Sequence, residues 1–196
     1  MTNNTKNELG RALYTLLGKK NLDRITVADI TGLCGLNRQT FYYHFHDVYE
    51  LAEWLIDREV AELASSENAK TGDWHELLMH IFLRLTESKS VALHLYRSRG
   101  WHHIIDYVYR RVSPLLEERA RNLVAELQLD VPEEDLLFVV RIYQYALSGV
   151  LDAWLSSGMK DSVPGDLDRL FRLLDGSIEH TLSNFDRRAA TTAEGK

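Results

Sequence analysis

Gly35 and the residues on either side of it restrict this chain more than any other stretch. Thr26 is a good N-cap, and Asp29 three residues later comes close to completing a capping box. Val27, Ile30 and Leu33 then follow at the spacing of one buried helical stripe. Gly35 suits a left-handed turn that stops this helix and swings the chain round. Asn37 caps a second short helix, in which Phe41 and Phe45, four apart, point inward. Outward stand Arg38, Gln39, Thr40, Tyr42, Tyr43 and His44, a face of donors and aromatics without a carboxylate. Two short helices about a glycine turn, the second with such a face, are how a helix-turn-helix lays one helix in a DNA major groove.

The rest of the chain reads as helix too. Only three prolines interrupt 196 residues, and an apolar content of 45% is ample for a packed core. Thr5 to Leu17 predicts a first helix with Leu9, Ala12, Leu13, Leu16 and Leu17 on one face. Asp47 caps a long helix to about Ser65, and a loop over residues 66–73 precedes an apolar helix from Trp74 to Leu85. A short helix spans Val91 to Tyr96. Trp101 to Glu126 follows, with a bend or restart expected at Ser113-Pro114. Val131-Pro132 opens another helix that reaches Gly158, with Glu133, Glu134 and Asp135 at its positive end. A final amphipathic helix is expected from Asp166 to about Phe185, through Leu170, Leu173, Leu174, Ile178 and Leu182. The expected fold is all-α with about nine helices. It comprises a helix-turn-helix head over 1–46, a larger helical body over 47–186 and a fraying tail over 187–196.

Charge permits nucleic acid without demanding it. The formal net charge is −6, yet residues 1–50 hold six Lys/Arg against five acids, so the acidic excess lies in the remainder. Phosphate contacts are local and are screened beyond about 8 Å, so an acidic body does not silence a neutral head. The longest unbroken apolar runs are four or five residues, short of a bilayer span, and no signal peptide opens the chain. With Cys34 alone there is no internal disulfide, which fits a reducing compartment. The expectation is a soluble, cytoplasmic protein with no membrane partner.

Residues 9–55 resemble the tetracycline-repressor (TetR/AcrR) family of transcription regulators. The likeness is carried by a Leu-rich first helix, Ile25-Thr26-Val27-x-x-Ile30, Gly35-Leu36-Asn37, Thr40-Phe41-Tyr42-x-x-Phe45 and Leu51. The resemblance implies that Arg38, Gln39 and Tyr43 meet base edges, while Thr26, Thr40, Tyr42 and His44 hold phosphates. The chemistry agrees, because arginine offers a fork to guanine and glutamine can match adenine. One residue departs from the family pattern: Val48 stands where a backbone-gripping lysine is usual at the start of the fourth helix, and His46 is a candidate replacement. The wording Tyr42-Tyr43-His44-Phe45-x-Asp47-x-Tyr49-x-Leu51, with Trp54 and Leu95-Tyr96-x-Ser98, is similar to a narrower branch that includes activators of dihydroxyacetone kinase operons.

The body offers weaker signals. Tyr96, His103, Tyr107 and Tyr143 mix aromatic and polar character and are candidate pocket residues for a small-molecule effector; a partner protein is the other regulator to expect. Leu147, Val150, Leu151, Trp154, Leu170, Leu174 and Ile178, with Gly149 for close approach, are the candidate homodimer seam implied by the resemblance. A dimer would set two reading helices about 34 Å apart on an inverted-repeat, double-stranded operator. His102 and Asp106, four apart, are a poor metal pair, and no metal or other cofactor is expected. No nucleophile elbow, Walker loop, dinucleotide fingerprint or zincin motif suggests an enzyme. The rival reading is a helical dimer that binds another protein and no longer grips DNA.

Overall fold

In the computed structural model the described residues are 2–65, 74–160, 169–170, 172–173 and 176–188. Among them are nine α-helices, one 3-10 turn and no strand. The helices are α1 (Thr2–Leu17), α2 (Val27–Cys34), α3 (Arg38–His44), α4 (Val48–Ser65), α5 (Trp74–Glu87), α6 (Lys89–Tyr96), α7 (Trp101–Glu126), α8 (Glu133–Ser156) and α9 (Ser177–Asn184). The chain divides into two compact units, Met1–Arg111 and Val112–Lys196, with the boundary inside α7.

The first unit is built on α1. Leu9, Leu13 and Leu17 recur every four residues and are fully or almost fully buried, with Ala12 beside them. Around this stripe collect Leu22 and Ile25 from the 3-10 turn (Leu22–Arg24) and its exit, Ile30 of α2, Phe41 and Phe45 of α3, and Val48, Leu51 and Ala52 of α4. Val91 of α6 and Ile104 of α7 close the same core. The local signals do what the chain order requires. Thr26 and Asp29 form a complete capping box, Gly35 takes φ 68°, Asn37 accepts from the Thr40 amide at 2.7 Å, and Asp47 accepts from the Glu50 amide at 2.9 Å.

Polar contacts then tie α1 and its exit turn to α6. His94 Nδ1 lies 2.7 Å from the Leu17 carbonyl, so it carries the proton and donates. Ser98, almost wholly buried, donates to the His94 carbonyl at 2.6 Å and accepts from the Leu22 amide at 2.9 Å. Asn21 Nδ2 donates to the Arg97 carbonyl at 3.3 Å. Gly100 lies so close to the Tyr49 ring that a β-carbon there would overlap it.

In the second unit, Ala120 of α7 packs with Leu136 and Val140 of α8, bordered by Leu116, Val124, Val131 and Leu137. Tyr143 hydrogen-bonds Ser177 at 2.9 Å and Thr181 at 3.2 Å, fastening α8 to α9. The Arg187 amide donates to the Asp130 carbonyl at 3.1 Å.

Several expectations need correction. Leu33 is 51% exposed; the buried side of α2 is Ile30 and Thr31, with Val27 and Cys34 partly covered. At 100° per residue, Val27, Ile30, Thr31 and Cys34 cluster, whereas Leu33 lies about 120° from Val27. Pro114 does not interrupt α7, which runs as one helix of 26 residues. A proline inside a helix costs about 3 kcal/mol through the lost hydrogen bond and the ring's clash with the preceding turn, and buried Ile104 and Ala120 anchor the helix on either side. The final helix is not single: residues 169–170 and 172–173 are helical, but Gly176 sits at φ 65° in a turn immediately before α9. The expected loop at 66–73 and the start of the final helix lie outside the described residues. Helix α8 is also long and apolar enough to cross a membrane by length and composition alone. Unbroken runs had suggested otherwise, because Arg141, Gln144 and Ser148 divide its apolar stretches.

Two outcomes follow. Lys20 at 2.9 Å and the Thr26 amide and hydroxyl all stabilise the Asp29 carboxylate, and hold its pKa well below its ordinary 3.8. A depressed folded value means that its contribution is complete above about pH 4 and is lost as pH falls further. Asp29→Asn should therefore flatten the drop in thermal midpoint below pH 4, measured by circular dichroism. Ser98→Ala strands the buried Leu22 amide and should cost about 1–3 kcal/mol in urea unfolding. An unchanged midpoint would show that this amide finds another partner.

Candidate nucleic-acid interface

Helix α3 is seven residues long, too short to hold itself in water. Its two inward aromatics place it: Phe41 is fully buried and Phe45 nearly so, with ring centroids 6.0 Å apart. Phe45 in turn meets the Trp54 ring of α4 edge-on at 5.9 Å. Once that side is fixed, the opposite side must face solvent. Arg38 and Gln39 are exposed, Tyr42 is 56% exposed and Tyr43 77%. Tyr42 stands edge-on to Phe41 at 5.6 Å, which steadies the ring without covering it. No carboxylate occurs on α3. Its outer face therefore offers a guanidinium, an amide and two phenols to a ligand rich in acceptors.

The phosphate-facing expectations divide. His44 is half-buried with its ring against Tyr43 at 4.9 Å. The Thr40 hydroxyl donates to Asn37 Oδ1 at 2.9 Å, and the Thr26 hydroxyl donates to Asp29 Oδ2 at 2.7 Å. Both threonine protons are thus committed to helix caps. Val48 is buried in the core, so its apolar character belongs to packing.

Helix ends sharpen the electrostatics. An α-helix N-terminus carries about half a positive charge and attracts anions. Asp29 occupies the first turn of α2, while at α4 Asp47 caps the Glu50 amide and Glu50 accepts from the His46 amide. Only α3 among these three begins without an acid in its first turn, capped by neutral Asn37.

The other sequence candidates fall elsewhere. Tyr96 stacks edge-on with Trp101 at 5.2 Å. His103 Nε2 meets Glu53 at 2.8 Å, and the Tyr107 hydroxyl donates to Asp57 at 2.9 Å, where Arg111 Nε also binds at 2.6 Å. Burial, then the bond to Asp57, pushes the Tyr107 phenol up. These three residues lie in the first unit, whereas Tyr143 binds Ser177 and Thr181 in the second. Of the seam candidates, Leu147, Val150, Leu151, Trp154 and Ile178 are half-buried. Leu170 is buried and belongs to the chain's own interior, and Leu174 lies outside the described residues. The apolar side chains most open on α8 are Phe138, Ile142 and Tyr145, spaced by four and three. Sequence reasoning passed over that stripe because α8 is apolar on more than one face. It also passed over Glu53 and Asp57, although their spacing of four matches that of His103, Tyr107 and Arg111.

Comparison with known proteins gives a consistent result. Residues 72–176 match the TetR C-terminal family described as "Transcriptional regulator C-terminal region". An uncharacterized HTH-type transcriptional regulator of Bacillus subtilis, YxbF, is 27% identical over 132 residues, 64% of this chain and 35% of that protein. The HTH-type dhaKLM operon transcriptional activator DhaS of Lactococcus lactis is 31% identical over 75 residues, 38% of this chain and 40% of its own. The chain thus spans well under half the length of these two relatives. HTH-type transcriptional regulator TtgR of Pseudomonas putida is 26% identical over 193 residues, covering 88% of this chain and 75% of that protein. Among solved structures, the dihydroxyacetone kinase operon activator DhaS superposes with a TM-score of 0.64 at 19% identity, over 93% of this chain and 98% of the other. NalD, the secondary repressor of the MexAB-OprM multidrug efflux pump in Pseudomonas aeruginosa, gives 0.62 at 14% over the same shares. These structural likenesses speak for the fold alone. With more than half its length matched by that family, the chain belongs to the TetR family of transcriptional regulators.

Proposed function

We propose that this protein is a sequence-specific DNA-binding transcriptional regulator whose head, residues 1–46, reads an operator. The observation that carries this is the outer face of α3, where Arg38, Gln39, Tyr42 and Tyr43 are exposed and no carboxylate intervenes. Arg38 and Gln39 are the base readers, with Tyr43 beside them. Tyr42 serves the phosphates. His44, Thr26 and Thr40 support that face through ring packing and helix capping.

The body, residues 47–186, supplies pairing and control. The homodimer seam is proposed to include the exposed α8 stripe of Phe138, Ile142 and Tyr145 around Gly149, which has open space beside it, together with the half-buried flank from Leu147 to Trp154. An effector or partner protein acts by binding one arrangement of the two heads better than another. Tyr107 and His103 are suited to pass on that preference, because their partners Asp57 and Glu53 stand on α4, which follows α3 after three residues.

Selection of bound sequences from random double-stranded DNA tests the reading. Against the selected site, Arg38→Ala should lose about 1–3 kcal/mol of discrimination at one base pair. Tyr42→Ala should weaken all sequences alike. Wild-type affinity should fall steeply between 50 and 200 mM salt. Identical behaviour of the two variants, or no salt dependence, would favour a protein-binding dimer instead. For the seam, Ile142→Glu should give a monomer in sedimentation velocity with unchanged helix content. A dimer that survives the change would move the seam off α8.

A further inference from the structure

Two of the six Lys/Arg in the head are already engaged within it. Lys20 is paired with Asp29 at 2.9 Å, and Lys6 lies over the Phe45 ring at 5.3 Å from its centroid. The first turns of α2 and α4 hold carboxylates. Affinity for a duplex comes largely from neutralised phosphates, so further positive charge docked beside the head would add to it.

It is found at the corner between α6 and α7. There the chain reads Arg97-Ser98-Arg99-Gly100, and both arginines are exposed. The corner is fixed to the link between α1 and α2: Asn21 donates to the Arg97 carbonyl, and Ser98 accepts from the Leu22 amide. That link carries Lys19 and Arg24, both exposed. Among the described residues none of Lys19, Arg24, Arg97 and Arg99 has a carboxylate partner. Asp23 is the one acid within the two segments.

The position of the corner matters as much as its sign. Arg24 stands two residues before Thr26, where α2 begins. Gly100 abuts Tyr49 in the first turn of α4, five residues past the end of α3. The four cations thus border the starts of α2 and α4. A cluster of this kind complements an extended polyanion continuous with the one that α3 meets.

We propose that Arg97 and Arg99, with Lys19 and Arg24, form a second phosphate-binding surface that engages duplex DNA flanking the sequence read by α3. This rests on the DNA-binding reading given above. Because the arginines come from the α6–α7 corner and not from the helix-turn-helix, affinity for a long duplex then depends on that corner staying docked on the head.

The test uses a duplex selected from random DNA, trimmed to its core or extended with arbitrary sequence on both sides. Full-length wild type, Arg97→Gln/Arg99→Gln and the charge-keeping Arg97→Lys/Arg99→Lys are titrated by fluorescence anisotropy across a salt series. The glutamine variant should lose about tenfold on the extended duplex, and its slope of log affinity against log salt should shrink by roughly two, one contact per arginine. Its affinity for the core should match wild type, which also shows that it has folded, and the lysine variant should restore most of the loss. Unchanged binding and slope on the extended duplex would overturn the inference while leaving the reading head intact. Equal losses on core and extended duplexes would put the contacts inside the core and overturn the flanking assignment. A wild type indifferent to every duplex would remove the DNA-binding reading and this surface together.

Discussion

Burial of Phe41 is the contact on which the rest of the first unit depends. A helix as short as α3 cannot form by propensity, because its nucleation cost is set against too few hydrogen bonds. Phe41 and Phe45 give it an inward side, and α1 provides the leucine stripe that receives them. Losing a buried phenylalanine ring costs about 3–5 kcal/mol in a typical core, a large part of a domain's whole stability. The exposed set of Arg38, Gln39, Tyr42 and Tyr43 is the geometric consequence of that burial. The stabilising aromatics and the exposed polar set therefore sit on opposite faces of the same two turns.

The helix caps add a second constraint, electrostatic this time. Asp29 and Asp47 are effective caps, and each makes its helix start cleanly. Each also places a negative charge where an anion would otherwise be welcome. Asn37 caps α3 with a neutral oxygen and avoids that conflict. The head is thus arranged to admit a polyanion at one helix end and to discourage it at two others. Buried Val48 fits the same pattern, since a lysine there would have to leave the core that Val48 helps close.

Much of this was legible in the chain because the signals are local. Thr26 with Asp29, Gly35, Asn37 and Asp47 each act within four residues, and each does in the structure what its chemistry suggests. Features that depend on distant partners were not legible. Leu33 satisfied a spacing of three but not the four-residue step that keeps a helix stripe from drifting. Pro114 carried a local signal for a bend or restart, yet α7 continues through it without restarting. Gly176 was hidden inside an apolar pattern that runs on past it. On α8, apolar residues occur all round the helix, and only packing shows that Leu136, Val139 and Val140 face in while Phe138 and Ile142 do not. For the candidate interface itself, sequence identified which side chains of α3 stand exposed, but not that the Thr40 hydroxyl is engaged with Asn37.

The contrast between the head's core and the seam beside it bears on how such a molecule can be switched. Tyr49, Glu53 and Asp57 recur every four residues along α4, and they meet Gly100, His103, Tyr107 and Arg111 on or just before α7. Apart from the Tyr49 contact, these are polar pairs at partly exposed positions, each worth about 0–1 kcal/mol. The core behind α3 is apolar and close-packed, so it resists deformation. A disturbance entering at α7 therefore re-pairs these soft contacts most easily, while Ile104 of the same helix belongs to the stiff core, and the head should respond by moving with α7 as a body. Coupling between ligand sites in regulated proteins is typically about 1–3 kcal/mol. Re-pairing two or three of these side chains supplies that much, whereas dismantling any part of the Phe41 core would exceed it and unfold α3.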